Sequence, residues 1–165
     1  MRPFGCERLP RLRAVAHAEQ RRSFDRIPDD LLNDVGYRLA DAGVAVERGL
    51  AMIDTHLAQS PDVAYALDSK GWALYRLGRN DDALAWFDRA IAILAKDDDA
   101  REALAIGLEC KGEVLWKLGH RDEARNAFAQ AEKIQPANAA LAETLKRLNV
   151  QARSAGATAP GTSRT

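Results

Sequence analysis

The chain has 165 residues, 47% apolar and 29% charged, with 24 basic and 24 acidic side chains and therefore no formal net charge. That length supports one domain with a real core, and the charge balance excludes a global pull toward nucleic acid or an anionic membrane. No apolar run approaches the roughly 20 residues a membrane helix needs, and no secretory signal is present as written. The two cysteines, Cys6 and Cys110, give no reason to expect a structural disulfide.

Residues 1–27 form a basic arm, interrupted by Pro3, Gly5 and Pro10, in which a short helix from about Arg11 to Phe24 is the only candidate element. The arm is either poorly ordered or a basic contact for an acidic partner. Pro28 and Asp29-Asp30 suit a first helical turn, because Pro needs no N–H partner there and Asp meets the positive end of the helix dipole. Leu31, Leu32, Val35 and Leu39 follow at helical spacing, and Gly43 closes that helix. A second is expected from about Val46 to Ala58 with Leu50, Ile53 and Leu57 on one face. Ser60 as cap and Pro61 at the first helical position predict the next start.

From Leu67 the pattern repeats itself. LDSKGWALYRLGRNDDALAWFDRAIAI and LECKGEVLWKLGHRDEARNAFAQAEKI, beginning at Leu67 and Leu108, share 11 of 27 positions without a gap. Each copy holds an apolar helical stripe, a Leu-Gly stop, a polar turn and a second stripe. Gly78 supplies a left-handed residue at the stop, and Asn80 or Asp81 is expected to cap the second helix of the first copy. Asp99 and Glu102 read as a capping box that opens a helix running to Leu118. Gly36, Gly71 and Gly112 are separated by 35 and 41 residues, and the longer interval exceeds a 34-residue period by seven, about two helical turns with little rotation of the apolar face. Ala124, Phe128, Ala131 and Ile134 form the last stripe of the second copy, and residues 138–152 read as a closing amphipathic helix on Leu141, Leu145 and Leu148. The Gly/Ala/Thr/Pro-rich residues 153–165 are expected to be disordered.

These units resemble the tetratricopeptide repeat, a helix–turn–helix of 34 residues with the pattern W-x2-L-G-x2-Y, A-x3-F and a terminal Pro. Leu67-x2-Lys70-Gly71-x2-Leu74 and Leu108-x2-Lys111-Gly112-x2-Leu115 match its first half, Ala83-x3-Phe87 and Ala124-x3-Phe128 its second, and Pro136 its end. A looser copy runs from Leu32 through Gly36, Gly49 and Ile53 to Pro61. Lys70 and Lys111 depart from the usual Leu, Ala95 from the usual Pro, and His56 from a usually small residue. The chain is also similar to the C-terminal part of bacterial tetratricopeptide proteins, some of which are longer and exported.

The resemblance implies an all-α right-handed superhelix, an α-α solenoid. Its units are expected at about 29–61, 62–97 and 100–137 within a repeat domain of residues 28–152, closed by the helix at 138–152. It also implies a concave groove, lined by the first helices, that takes a peptide or partner helix. The residues placed there are Asn33, Tyr37, Tyr65, Asp68, Trp72, Tyr75, Arg76, Glu109, Glu113, Trp116 and Lys117, which include five of the ten aromatic residues. Large stiff aromatic side chains anchor interfaces, although Trp72, Tyr75 and Trp116 also suit plain packing between helices. Glu109 and Glu113 stand where a carboxylate-binding member of the family would need basic groups, so a ligand with a basic and an apolar side chain fits better.

Chemistry is otherwise thinly represented. His17, His56 and His120 are scattered, Asp97-Asp98-Asp99 lacks the glycine and distal Glu of a calcium loop, and Cys110 reads as a small helix-surface residue equivalent to Ser69. The expectation is a non-catalytic adaptor without metal or cofactor, binding protein or peptide but not nucleic acid, not inserted in a membrane, with self-association left open. The alternative is a piece of a longer envelope-associated protein with a structural or assembly role. The expected compartment is the cytoplasm as written, and the periplasm or envelope for a truncated N-terminus.

Overall fold

The computed structural model describes residue 24 and residues 27–150, so the expected helix at 11–24, most of the arm and the tail at 153–165 lie outside the described residues. Seven α-helices follow one another: α1 Asp29–Asp41, α2 Val46–Gln59, α3 Ala64–Arg76, α4 Asn80–Leu94, α5 Arg101–Leu118, α6 Arg121–Ile134 and α7 Ala139–Arg147. A 3₁₀ turn at Asp98–Ala100 precedes α5, and no strand occurs among the described residues. The helices pack in adjacent pairs, α1 on α2, α3 on α4 and α5 on α6, and each pair stacks on the next as in a tetratricopeptide-type helical solenoid.

Small residues set how closely the pairs approach. A Cβ on Gly36 would lie 2.7 Å from the Gly49 carbonyl oxygen and 2.8 Å from Ile53 Cγ1, so α1 and α2 approach backbone to backbone at that point. The same place in the next two pairs is filled from the second helix by an aromatic ring. A Cβ on Gly71 would meet Phe87 at 3.0 Å, and one on Gly112 would meet Phe128 at 2.6 Å. Ala83, Phe87, Ala90, Ala124, Phe128 and Ala131 are all buried, as the repeated stripe requires. Their apolar clusters run along the chain, from Phe24, Leu32 and Met52, through Ile53, Leu67 and Ala90, then Leu74, Phe87 and Val114, to Leu115, Phe128 and Leu141. A fully buried Phe such as Phe87 stabilises by about 1.5–3 kcal/mol relative to exposure, and the repetition multiplies that gain along the stack.

The turns explain where the helices start and stop. Gly43, Gly78 and Gly119 take left-handed φ values of 69°, 76° and 87°, as the Leu-Gly stops predict for the last two. Four expected boundaries move. Ser60 ends α2, its N–H donating to the His56 carbonyl, and α3 begins only at Ala64 after the extended Val63, so Ser60 and Pro61 do not start it. Asn80 opens α4 without capping it; Arg79 precedes the helix and its guanidinium bonds Asp82 at 2.7 Å across the first turn. Asp99 and Glu102 make no capping box, because Asp97 instead accepts the Asp99 N–H and nucleates the 3₁₀ turn, which delays α5 to Arg101. The longer interval between Gly71 and Gly112 is therefore shared between that turn and a helix of 18 residues, against 13 in α3. Finally α7 ends at Arg147 rather than near 152, since Asn149 turns left-handed at φ 53° and Val150 N–H folds back to the Leu145 carbonyl. Its start follows expectation in kind: Asn138 Oδ1 accepts the N–H groups of Ala140 and Leu141.

The two lysines that replace Leu have partners. Lys70 Nζ reaches Asp54 Oδ1 of α2 at 2.6 Å, and Lys111 Nζ reaches Asp88 Oδ1 of α4 at 2.6 Å. Both pairs join the first helix of one unit to the second helix of the unit before it. Trp86 of α4, which the sequence left unassigned, stacks under both Lys70 at 3.8 Å and Arg89 at 4.7 Å. His56 tolerates its usually small position because both ring nitrogens are used. Its Nδ1 lies 3.0 Å from the Asp29 carbonyl, which requires the proton there and leaves Nε2 to accept from the Tyr65 hydroxyl at 3.2 Å.

Candidate functional site

The first helices α1, α3 and α5 lie in succession, with α1 and α3 in broad contact and α3 and α5 meeting more sparingly. The register fixed by Gly36, Gly71 and Gly112 puts Asn33, Asp68 and Glu109 at one equivalent position and Tyr37, Trp72 and Glu113 one helical turn later. Tyr75 and Trp116 form a third equivalent pair, followed by Arg76 and Lys117.

One part of this set converges. The tilted rings of Trp72 and Tyr75 lie 5.2 Å apart between centroids, and Trp72 Nε1 donates to Asp41 Oδ1 at 3.1 Å. Tyr75 donates its hydroxyl to Glu113 Oε1 at 2.9 Å, and Lys117 sits over the Tyr75 ring at 4.8 Å. Glu113 is buried, and its other oxygen accepts from Arg147 of α7 at 2.7 Å. Burial, and then the bond to Glu113 and its charge, push the Tyr75 phenol up to about 12. Glu109 accepts from Thr144 of α7 at 2.7 Å. The two glutamates are therefore satisfied from within the chain, and the last helix supplies the donors.

A second part gathers around Asp68. Its Oδ1 has no hydrogen-bond partner and faces Gly107 of α5, where a Cβ would come within 3.5 Å of it. Burial pushes its carboxyl up to about 7. Tyr37, partly exposed on α1, is pushed up to about 12 by burial first and then by the charges of Asp41, Cys110 and Asp68. Asn33 is 9% exposed, and its Oδ1 also has no partner. Cys110, of intermediate exposure, packs against the cluster of Leu74, Phe87 and Val114, so it is more covered than the helix-surface residue expected. Burial, with Asp68, Glu109 and Glu113 adding to it, raises that thiol well above its ordinary value, which suits packing and not nucleophilic chemistry.

The remaining predicted residues stand apart. Tyr65 is exposed, but its hydroxyl is engaged with His56 of α2. Arg76 lies over the α1–α2 turn, its guanidinium 2.9 Å from where a Gly43 Cβ would be. Trp116 joins the apolar cluster of Leu115, Phe128 and Leu141, with Arg121 over its ring at 3.9 Å and Arg125 at 5.6 Å. Sequence reasoning missed Asp41, Thr144 and Arg147. Thr144 was within reach, since it follows Glu109 by 35 residues, the interval that relates Asn33 to Asp68.

Among the described residues no group of three His, Cys, Asp or Glu side chains converges as a metal site would, and no helix is long and apolar enough to cross a membrane. No curated protein matches the chain. Residues 63–96 and residues 111–138 each match a family model described as tetratricopeptide repeat. The first spans α3 and α4, and the second runs from within α5 through α6. The stacked helix pairs and these two matches agree that the chain carries tetratricopeptide repeats.

Proposed function

We propose that this chain acts as a non-catalytic adaptor and holds a peptide segment or helix of a partner protein along the concave side formed by α1, α3 and α5. In this reading the repeat domain comprises residues 28–152, with units at about 29–61, 62–97 and 100–137. The observation that carries it is the tilted Trp72–Tyr75 ring pair, bonded to α1 through Asp41 and to α5 through Glu113, with the exposed Tyr37 at the equivalent position on α1. Trp72 and Tyr75 are only partly buried although each is oriented by a hydrogen bond, so stiff apolar area is held in place without being consumed by the core. Pre-ordered aromatic side chains lose little freedom on binding, which makes them efficient anchors.

The test is selection of binding peptides from a displayed random library on the full chain, followed by amide chemical-shift mapping of the best binder. The footprint is expected on Tyr37, Trp72, Tyr75 and their helical neighbours. Binding should weaken at least roughly tenfold in a Tyr37→Ala/Trp72→Ala double variant, about the loss expected from removing interface anchors. Circular dichroism should show that variant still helical. A footprint on α2, α4 and α6, or full binding by the folded variant, would refute the groove reading.

A further inference from the structure

The acids on this side of the molecule differ in one respect. Asp41 is bonded by the Trp72 indole, Glu109 by Thr144, and Glu113 by both Tyr75 and Arg147. Among the described residues Asp68 Oδ1 has no such donor, and burial alone accounts for the raised carboxyl, with no cation acting on it. Beside it, at the equivalent place on α1, the nearly buried Asn33 holds a second orphaned oxygen. Buried acceptors without partners are costly, on the order of 1–3 kcal/mol each, and structures keep few of them. Two at matching positions on adjacent, packed helices form an unfilled acceptor pair. Both orphaned oxygens are themselves covered, and Asp68 is partly exposed only through the rest of its side chain, so a ligand would approach from the Asp68 side. Gly107 of α5 faces the carboxylate, and a Cβ there would stand 3.5 Å from Asp68 Oδ1, in ordinary contact.

Resting on the groove reading above, we propose that Asp68 and Asn33 form a recognition subsite for one guanidinium group, an arginine side chain of the bound segment. Asp68 is its counter-ion, and the Asn33 carbonyl oxygen is a second acceptor. A guanidinium suits the pair because its planar fork presents several N–H donors at fixed directions and is more weakly hydrated than an ammonium. The Tyr37 ring, one turn from Asn33 and electrostatically coupled to Asp68, borders the same space. The groups facing Asp68 are Tyr37 from α1 and Cys110 from α5, with Asp41 beyond the first and Glu109 and Glu113 beyond the second. All five are acidic or neutral, and the Arg147 guanidinium on the last helix is already held by Glu113.

The test is an amide chemical-shift titration of the full chain at moderate salt with N-acetyl-arginine amide, and with the uncharged isostere N-acetyl-citrulline amide beside it. Saturable shifts centred on Asn33, Tyr37, Asp68 and Gly107 are expected for the arginine probe alone, and they should vanish in Asp68→Asn but persist in an Asp88→Asn control. Because the cation needs the ionised carboxylate, and Asp68 titrates at about 7, affinity should be roughly tenfold higher at pH 8 than at pH 6. Equal shifts with citrulline, shifts surviving in Asp68→Asn, or no saturable shift would overturn the subsite. If those failures occur while a selected peptide still maps to Trp72 and Tyr75, the subsite alone is wrong. A peptide footprint outside the first helices would remove the reading beneath it.

Discussion

Replacing Asp68 by Asn removes a charge whose cost can be worked from the structure. The carboxyl titrates at about 7 in the folded chain against an ordinary value of 3.8, and burial is the cause. That difference corresponds to roughly 4 kcal/mol at most for ionising Asp68 in place, and relaxation and water entry should reduce it to about 2–3 kcal/mol. Below about pH 4 both folded and unfolded chains carry the proton, so the charge contributes nothing. Between about 4 and 7 the folded chain keeps a proton that the unfolded chain has lost, so stability attributable to Asp68 falls as pH rises. Above about 7 both states are ionised, and the full penalty is present. The assay is urea unfolding of wild type and Asp68→Asn followed by circular dichroism at several pH values. Any fixed packing difference of the amide cancels when the two pH extremes are compared. The variant should gain about 2–3 kcal/mol relative to wild type between pH 4 and pH 8. A difference independent of pH, or one that moves the other way, would refute the picture of an uncompensated buried carboxyl.

Three further outcomes test the helix packing. Ala83→Leu and Ala124→Leu should each destabilise by about 1–3 kcal/mol, because both alanines are wholly buried and the pairs have no spare volume; an unchanged melting temperature would contradict the register. Gly112→Ala places a methyl 2.6 Å from the Phe128 ring and should lower stability by about 1–3 kcal/mol. Gly71→Ala meets Phe87 at 3.0 Å, where the helix-propensity gain of about 1 kcal/mol nearly offsets the crowding, so chemical denaturation should show the first variant clearly worse. Lys111→Met should cost less than about 1 kcal/mol, since Lys111 is 29% and Asp88 57% exposed, and the loss should shrink in high salt.

The architecture was readable from sequence because the signal is repeated. Two copies of one stripe, with Gly facing Phe inside each pair, fix both period and inward face, and Gly71, Phe87, Gly112 and Phe128 meet as that pattern demands. Helix starts were less legible. Ser60, Asn80 and Asp99 are all competent caps by residue type, yet backbone bonds already committed to α2, an Arg79–Asp82 pair and an Asp97 turn decide otherwise. Within the groove set, residue type and spacing show which helix face a side chain is on, but not which neighbour uses it. Tyr65 and Trp116 are drawn toward His56 and toward the Leu115 and Phe128 cluster by contacts whose partners lie on other helices. Cys110 likewise packs against a core cluster, although its counterpart Ser69 in the first copy bonds the backbone of its own helix through the Tyr65 carbonyl.

The departures from the repeat carry more information than its matches. Lys70 and Lys111 break the apolar pattern at one position, and each is answered by an acid, Asp54 or Asp88, on the preceding second helix. The equivalent of those acids in the last unit is Ala129, so the chain of ion pairs ends there. Such pairs are partly exposed and worth little in stability. The row through Asn33, Asp68, Glu109 and Thr144 changes chemistry at every step, and only its last two members satisfy each other. Stability alone would favour filling or neutralising the first two, because unpaired buried acceptors cost free energy that apolar residues would not. Under the arginine proposal, that unmet demand is what a bound guanidinium would satisfy. The acidic pair farther along is already bound by its own chain.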